Sequence, residues 1–466
     1  METKPFVLPT ALLVGVIATL AFLVSGCSDD GGTTLPNLSD ALPSSQVVDG
    51  SSSSASDPTN GSSTGTSDPV SSSTVATSSA GDPQETGDCG TVQGTIPADN
   101  GCVRYSGRVN FADNSAEFNW PGIVIEAKFE GTSLALDLTA GDNIWFDIYI
   151  DGAKLPTLAP PPGKTNTFTL GSLRTYNGVE NYTVASGLAD GAHTFKMVKR
   201  SETNFSSIVL KNLILDDGKK LLPLPPRPDR RIEIIGDSYS VGYGVEAVSK
   251  TDPTKQDASG RTCNDEEFHA YTNSAKAYGP VAADLLGAEY QLNAYSGLGM
   301  VRNYSGNTAY LPYPGYYDRI LQHTEQPKYD PNHWHPHVVV ILLGTNDFST
   351  PLGGGEVYKS KEELYVAYRT AYKEFLAQIR AAHPGVKFIL GATNLWDSVT
   401  GAPNDDIKIQ VQQIIAEENA AGHNDMEYQL FLNQTGYGCG WHPDIRTQEL
   451  WGGYVANRIR TMMGWD

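Results

Sequence analysis

Apolar residues recur at every second position through much of the first half of the 466-residue chain. Three short runs, over residues 125–129, 134–138 and 146–150, alternate apolar and polar side chains, and glycines lie between them. A period of two is typical of strands that bury one face, and turn residues between such strands favour antiparallel pairing. The pattern predicts an antiparallel β-sandwich over residues 89–225.

Prolines at residues 223–228 end this pattern, and a different one begins at residue 230. Short apolar runs now alternate with segments whose apolar residues are three or four positions apart, the spacing of a helix that buries one face. Predicted strands lie at residues 231–235, 290–294, 337–343, 387–390 and 427–431, and predicted helices at residues 280–286, 362–383, 407–421 and 448–463. This alternation predicts an α/β domain over residues 230–466, with a parallel sheet covered on both sides. Functional side chains are expected at the carboxyl ends of its strands.

The first 26 residues have the pattern of an export signal. Lys4 precedes an apolar run over residues 11–24, and the small residues Ser25 and Gly26 come before Cys27. This order is typical of a cleaved secretory signal. Because Ser-Gly-Cys resembles a bacterial lipobox, residues 1–26 are expected to be a lipoprotein signal peptide and Cys27 to carry the lipid; an ordinary cleaved signal is the alternative. The expected location is the bacterial outer membrane, the cell surface or the medium.

Residues 27–88 are dominated by Ser, Thr, Gly, Asp and Pro. Such a segment buries too little apolar surface to offset the entropy lost on ordering it. We predict a lipid-anchored disordered linker, whose typical reach for about 60 residues is ~40 Å.

The charge balance restricts the partners. The chain has 33 Lys+Arg and 53 Asp+Glu, a net charge of −20. Proteins that bind nucleic acid or anionic lipid usually present basic faces. We therefore expect no nucleic-acid partner, and membrane attachment through the lipid anchor only. The oligomeric state is not predictable from the sequence.

The cysteines other than Cys27 are expected to pair in an oxidising compartment. Cys89 and Cys102 are close in sequence, so their pairing is the first expectation, which leaves Cys263 for Cys439. No Cys/His spacing typical of a zinc site occurs. The histidines of residues 332–337 alternate, but they precede a predicted strand and lack partner carboxylates, so no metal site is expected.

Four polar motifs follow predicted strands or precede the last predicted helix. They are Gly236-Asp237-Ser238-Tyr239-Ser240, Ser296-Gly297-Leu298-Gly299, Gly344-Thr345-Asn346-Asp347 and Gly440-Trp441-His442-Pro443-Asp444. Each alone has an ordinary structural interpretation: a helix-capping serine, a glycine turn, a polar turn capped by Asp347, and a lone histidine. Together they would place a hydroxyl, backbone N–H groups, an amide and an imidazole at one edge of the sheet.

The order of these motifs resembles that of the SGNH, or GDSL-type, hydrolases, which contribute Ser, Gly, Asn and His in four blocks. The matching residues are Ser238, Gly297, Asn346 and His442. With a sandwich before the hydrolase domain, and with residues 234–244, 296–303 and 438–444, the chain further resembles carbohydrate esterase family 2, the acetyl (xylan) esterases.

The resemblance implies a three-layer SGNH domain preceded by a jelly-roll sandwich. It implies Ser238 as nucleophile and His442 as base, with an oxyanion hole made by the N–H groups of Ser238 and Gly297 and the Asn346 amide. The implied activity is the removal of acetyl groups from plant polysaccharides such as xylan and glucomannan through an acetyl-serine intermediate, with no cofactor.

The chain departs from the wider superfamily beside the histidine. An aspartate commonly lies two or three residues before this histidine, but here those positions are Gly440 and Cys439. We predict a Ser–His dyad in which a backbone carbonyl accepts from Nδ1–H. Asp444 is the alternative orienting residue, and its other role would be to cap the following helix.

Aromatic residues near the motifs are candidate substrate-binding residues. Trp441, Trp396 and Tyr295 lie in or near these loops, where their rings could stack on sugars or pack in the core. Two other functions stay open. One is a lipase or thioesterase on the same scaffold, and the other is a non-catalytic glycan-binding surface protein.

Overall fold

The structure is a computed structural model that describes residues 89–202, 207–247, 268–396, 402–432, 434 and 436–465. The predicted signal peptide, Cys27, the linker over residues 27–88 and Cys263 lie outside the described residues. In the described part of the chain, no helix combines the length and apolarity that crossing a membrane requires.

The first domain is built from two antiparallel sheets, and we call it the sandwich. Its strands are β1 (Thr95–Pro97), β2 (Val103–Ser106), β3 (Asn110–Ala112), β4 (Ser115–Phe118), β5 (Val124–Gly131), β6 (Leu134–Thr139), β7 (Trp145–Ile150), β8 (Ala153–Lys154), β9 (Leu173–Arg174), β10 (Asn181–Ala185), β11 (Gly191–Lys199), β12 (Ile208–Leu215) and β13 (Leu221–Leu222). One sheet has the order β10-β6-β12-β4-β3, with β1 beside β12. The other has the order β13-β5-β11-β7-β8, with β2 beside β5 and β9 beside β7.

The period of two in the sequence corresponds to the two faces of these strands. In β6, Leu134, Leu136 and Leu138 are buried and the residues between them are not. A disulfide joins Cys89 to Cys102, the pair expected from their proximity in sequence.

The second domain contains a parallel sheet, and we call it the parallel-sheet domain. Its strands are β14 (Arg231–Gly236), β15 (Glu289–Ala294), β16 (Val338–Leu342), β17 (Lys387–Thr393), β18 (Leu395–Trp396), β19 (Pro403–Asn404) and β20 (Met426–Phe431). Its helices are α1 (Ser238–Val241), α2 (Phe268–Tyr271), α3 (Tyr278–Leu286), α4 (Thr345–Phe348), α5 (Lys361–Ala382), α6 (Asp406–Ala420) and α7 (Ile445–Met463). The parallel sheet has the order β15-β14-β16-β17-β20, and β18 and β19 form a separate antiparallel pair.

Helices cover both faces of the parallel sheet. Val338, Val340 and Leu342 of β16 share a buried cluster with side chains of α3 and α7. Val339 and Ile341, on the opposite face, share a cluster with side chains of α5 and α6. A strand buried on both faces needs a continuous apolar run, which is why β16 lacks the alternation seen in the sandwich. The predicted fold class, a sandwich followed by an α/β domain with a parallel sheet, is confirmed.

In the strand order, β14 lies between β15 and β16. The chain runs from β14 to β15 on one side and then crosses to β16 on the other side, so the order of the strands reverses at β14. In open parallel sheets, ligands bind in the crevice outside the carboxyl ends of the strands at this point. Ser238 lies directly after β14 and is therefore at this crevice.

Candidate active site

Ser238 lies in a tight turn between β14 and α1. Gly236 ends the strand, and a Cβ on it would lie 1.9 Å from Ser240 Oγ, so only glycine fits there. Asp237 caps α1 by accepting a hydrogen bond from the Tyr239 N–H at 3.0 Å. The turn places Ser238 at the first helical position, where its own backbone N–H points away from the helix.

His442 is within hydrogen-bonding distance of this serine. Its Nε2 lies 2.7 Å from Ser238 Oγ. Its Nδ1 lies 3.0 Å from the carbonyl oxygen of Cys439 and 3.0 Å from that of Gly440. Because carbonyl oxygens only accept, the neutral ring carries its proton on Nδ1, and Nε2 is free to accept the serine proton.

Two tyrosine rings enclose the imidazole. The Tyr243 ring lies against it with centroids 4.4 Å apart and planes at 35°, and the Tyr239 ring approaches edge-on at 5.3 Å. Burial among these groups lowers the pKa of His442 to about 4, although the two carbonyl oxygens oppose the shift. The imidazole is therefore held neutral, the form a general base requires.

Asp444 does not contact the imidazole. Its Oδ1 accepts hydrogen bonds from the Thr447 N–H at 2.9 Å and the Thr447 hydroxyl at 2.6 Å, which caps α7. The alternative in which Asp444 orients His442 is therefore wrong for this structure. The observed partners of Nδ1 are the two carbonyls, as the dyad prediction requires.

Gly297 lies in the loop after β15, and the Tyr295 N–H donates to the Gly236 carbonyl at 3.0 Å, which joins this loop to the turn of Ser238. The φ of Gly297, +81°, belongs to the left-handed region that glycine adopts without strain. Across the described residues, the backbone N–H groups of Ser238 and Gly297 have no acceptor. They are thus available to stabilise a negatively charged oxygen.

Asp347 holds the far end of this loop. Its carboxylate accepts hydrogen bonds from the N–H groups of Met300 at 2.8 Å and of Val301 and Arg302 at 2.9 Å each. Burial raises the pKa of Asp347 to about 6, and these three donors oppose that rise. The interpretation of Asp347 as a turn cap is corrected: its acceptors serve a loop 45 to 47 residues earlier in the chain.

Asn346 connects three of the four motifs. Its Nδ2 donates to the Leu298 carbonyl at 2.8 Å and to Asp237 Oδ2 at 3.2 Å. The N–H that donates to Asp237 has the longer hydrogen bond, and it is the one that could also donate to an oxyanion. Burial raises the pKa of the Asp237 carboxyl to about 7, opposed by its hydrogen bond from the Tyr239 N–H.

The candidate substrate-binding aromatics differ in exposure. Trp441 is 59% exposed and lies beside Tyr437, with ring centroids 5.1 Å apart. Tyr295 is only 8% exposed, because it packs edge-on against Tyr310 and Tyr316. The structure therefore does not present Tyr295 as an open stacking surface. The side chain of Trp396 lies outside the described residues.

Two expectations concern metal and disulfide sites. His335 Nδ1 lies 3.0 Å from His383 Nδ1, but no cluster of three or more His, Cys, Asp or Glu able to hold a metal occurs in the described ranges. Cys439 is disulfide-bonded. Cys263, its expected partner, lies outside the described residues, so this pairing stays a prediction that peptide mapping without reductant would test.

Sequence reasoning missed the two tyrosines around His442. Tyr239 is in the serine motif itself, and Tyr243 lies between Gly242 and Gly244. The carbonyl of Gly244 accepts a hydrogen bond from the Cys439 N–H at 3.2 Å, which brings Tyr243 to the loop of His442, residues 436–444. An aromatic residue between two glycines so close to the serine was the available signal.

Comparison with known proteins gives the family. Residues 105–225 match the family described as carbohydrate esterase 2 N-terminal, and residues 234–445 match the GDSL-like lipase/acylhydrolase family. The chain is 33% identical over 350 residues to an acetylxylan esterase / glucomannan deacetylase of Cellvibrio japonicus, which covers 75% of this chain and 87% of that protein. The chain belongs to carbohydrate esterase family 2. It is a serine esterase of the GDSL type.

Other members of family 2 are similar over the same region. The cellulase/esterase CelE of Acetivibrio thermocellus is 30% identical over 382 residues, which cover 80% of this chain and 41% of that protein. The structure of a family two carbohydrate esterase from Clostridium thermocellum in complex with cellohexaose is 29% identical, with a TM-score of 0.63, and covers 78% of this chain and all of that chain.

Proposed function

We propose that this family 2 esterase removes acetyl groups from plant polysaccharides such as xylan and glucomannan, through an acetyl-serine intermediate. The observation that carries the proposal is the 2.7 Å contact between His442 Nε2 and Ser238 Oγ. The N–H groups of Ser238 and Gly297, which have no acceptor among the described residues, support it. The names of the similar proteins support acetylated xylan and glucomannan as the substrate class.

The mechanism is acyl transfer in two steps. His442 Nε2 takes the Ser238 proton as Oγ attacks the acetyl carbonyl carbon, and the carbonyl oxygen becomes an oxyanion. The N–H groups of Ser238 and Gly297 and the Asn346 amide stabilise this oxyanion. His442 then protonates the departing sugar oxygen, so that the sugar leaves with a free hydroxyl and the acetyl group stays on Ser238. Water, deprotonated by His442, attacks the acetyl-serine; His442 returns this proton to Ser238 Oγ, and acetate is released.

A short acyl group is the expected substrate, because the loops that carry the four motifs are rich in Tyr, Asn and Gly. A lipase would bind its acyl chain in an apolar groove at the serine. We expect much faster cleavage of p-nitrophenyl acetate than of the decanoate ester, and the reverse order would favour the lipase alternative.

Exposed aromatic rings next to His442 and after the Gly297 loop support a polysaccharide substrate. Trp441 precedes His442 and is open to solvent, as are Tyr304 and Tyr310 beyond the Gly297 loop. Sugar rings pack on such faces, and the similar Clostridium thermocellum esterase was solved with cellohexaose.

Lipid anchoring remains a proposal from the sequence. Cys27 would carry the lipid, and residues 27–88 would link it to the sandwich. Replacing Cys27 with Ser should move the protein from the membrane fraction to the soluble fraction. Unchanged fractionation would contradict anchoring at Cys27.

The decisive experiment measures acetate release from acetylated xylan and glucomannan. Ser238→Ala should lower the rate by about 10⁶-fold, the scale seen when a catalytic serine is removed. Ser240→Ala is the matched control, because the Ser240 hydroxyl bonds the Tyr278 hydroxyl at 2.9 Å and is not directed at His442. Equal release by wild type and Ser238→Ala would refute the proposal. Binding of xylan without acetate release would favour the non-catalytic alternative.

A further inference from the structure

A run of four polar residues at the end of β11 is almost completely buried. Lys199, Arg200, Ser201 and Glu202 are exposed by 1%, 0%, 0% and 2%. Buried polar and charged groups are stable only with hydrogen-bond partners. For Arg200 and Glu202, some of these partners lie in the parallel-sheet domain, on the segments that surround Ser238.

Arg200 supports the serine side of the site. Its guanidinium donates to the Ala270 carbonyl at 3.1 Å and to the Glu246 carboxylate, and its carbonyl accepts from the Ser274 N–H at 3.1 Å. The neighbouring Asn273 donates its N–H at 3.1 Å to the carbonyl of Gly242, the residue that ends α1. The sandwich therefore supports the segment that packs against the helix of Ser238.

Glu202 contacts the oxyanion side. Its carboxylate accepts a hydrogen bond from the hydroxyl of Ser296, the residue directly before Gly297. Lys199 fixes the backbone around Glu202, because its Nζ donates to the carbonyls of Ser201 and Glu202 at 2.8 Å each. The loop is thus held before Gly297 by Glu202, through Ser296, and after it by Asp347, through residues 300–302.

We propose that the sandwich is part of the catalytic apparatus, and that Glu202 is a positioning residue that holds the Gly297 N–H in place for the oxyanion through Ser296. This inference rests on the proposed function, because the oxyanion forms only when an ester is cleaved. The N–H must lie about 3 Å from the oxyanion, and a displacement of about 1 Å can cost about 100-fold in rate. The oxyanion exists only after the serine has attacked. Losing a hydrogen bond to it therefore lowers kcat and leaves KM nearly unchanged.

The interface offers a matched control for this contact. Ser106 of β2 donates to Glu289 of β15 at 3.0 Å, and both residues are buried. This is again a serine–glutamate hydrogen bond between the two domains, but Glu289 begins β15 whereas Gly297 follows its end. A purely structural interface would make the two bonds equivalent for catalysis.

The test compares steady-state kinetics on p-nitrophenyl acetate. Ser296→Ala and Glu202→Ala should each lower kcat by about 10- to 100-fold with KM nearly unchanged. Glu202→Gln should recover most of kcat, because the amide oxygen still accepts from Ser296. Ser106→Ala should keep the wild-type kcat. The double variant Ser296→Ala/Glu202→Ala should have about the same kcat as either single variant, because each substitution removes the same hydrogen bond.

Several results would overturn the inference. They are a Ser296→Ala variant with the kcat of Ser106→Ala, a loss that appears in KM alone, and a Glu202→Gln variant as slow as Glu202→Ala. If Glu202→Ala does not fold, Ser296→Ala decides, because it removes a single hydroxyl. A wild-type protein without esterase activity would instead refute the proposed function. An active wild type whose Ser296 and Glu202 variants keep the wild-type kcat would refute only the role of Glu202.

Discussion

Two loops flank Ser238, and different kinds of groups hold them. In the histidine loop, residues 436–444, the imidazole contacts the carbonyl oxygens of Cys439 and Gly440 and the rings of two tyrosines. In the oxyanion loop, residues 295–303, two carboxylates accept hydrogen bonds, Asp347 from backbone N–H groups and Glu202 from Ser296. Among the described residues, no carboxylate hydrogen-bonds to His442.

The difference shows where this site uses charge. A carboxylate beside an imidazole favours the imidazolium and raises its pKa. Carbonyl dipoles orient His442 without a full charge, and burial then dominates and lowers its pKa. On the other side, the carboxylates take up neighbouring donors and so fix the loop, while the Gly297 N–H stays available. Neutral groups thus orient the base, and charged groups fix the backbone of the oxyanion hole.

The largest loss of kcat in this comparison is expected on the oxyanion side, from replacing Asn346. Asn346→Ala removes an oxyanion donor and the link from Leu298 to Asp237, so kcat should fall by about 100- to 1,000-fold. Asn404→Ala is the control, because Asn404 is also a buried asparagine whose amide donates to a carbonyl, that of Phe348. Its kcat should be close to wild type. Steady-state kinetics checks both, and a less than about threefold loss in Asn346→Ala would show that its amide is not a donor to the oxyanion.

A smaller effect is expected on the base side from Tyr243. Tyr243→Leu removes the ring that lies against the imidazole, which loosens its orientation and lets water reach it. We expect kcat/KM to fall about tenfold near pH 5.5 and less near pH 8, because the pKa of His442 rises towards its ordinary value and more of it is protonated in acid. Tyr243→Phe keeps the ring and should behave as wild type. An equal loss at both pH values would contradict the role of Tyr243 in excluding water.

The smallest effect is expected from Asp444. Asp444→Asn should change kcat by less than about twofold and leave the free energy of unfolding nearly unchanged, because Asn caps helices as well as Asp. Asp444→Ala should cost about 1 kcal/mol in stability with little loss of kcat. Thermal unfolding and steady-state kinetics check both variants. A loss of about 10⁴-fold in Asp444→Asn, the scale for a triad aspartate, would make Asp444 the orienting residue after all.

Local patterns were enough to predict most of the fold. Alternation in the run 134–138 marked β6, and the unbroken apolar run before Gly344 marked β16, because each depends only on how many faces of a strand are buried. The helix predicted over residues 362–383 is α5, Lys361–Ala382, whose first turn is capped by Ser360. The four motifs lay at or near strand ends, so the meeting of Ser238 and His442 followed from the parallel topology.

The supporting residues could not be predicted because their partners are distant in the chain. Glu202 is 94 residues before Ser296 and on the other domain, and nothing in its local sequence distinguishes it from a surface glutamate. An aspartate that follows a strand often caps the next turn, so the sequence predicts only that role for Asp347. The packing of Tyr243 on His442 joins residues about 200 positions apart and has no periodic signal.

The central claim is that a neutral imidazole, oriented by backbone carbonyls and not by a carboxylate, is the base for Ser238. The pH dependence of kcat/KM on p-nitrophenyl acetate tests it most directly, because its acid limb reports the base of the free enzyme. With the pKa of His442 lowered to about 4, activity should persist through pH 6 and fall only as the pH approaches 4. Burial raises the pKa of the Asp237 carboxyl to about 7 and that of Asp347 to about 6, so the imidazole itself is followed by NMR in the same protein. An acid limb at or above about pH 6.5, with the His442 imidazole titrating in that range in folded protein, would mean an imidazole stabilised in its charged form and would contradict the account.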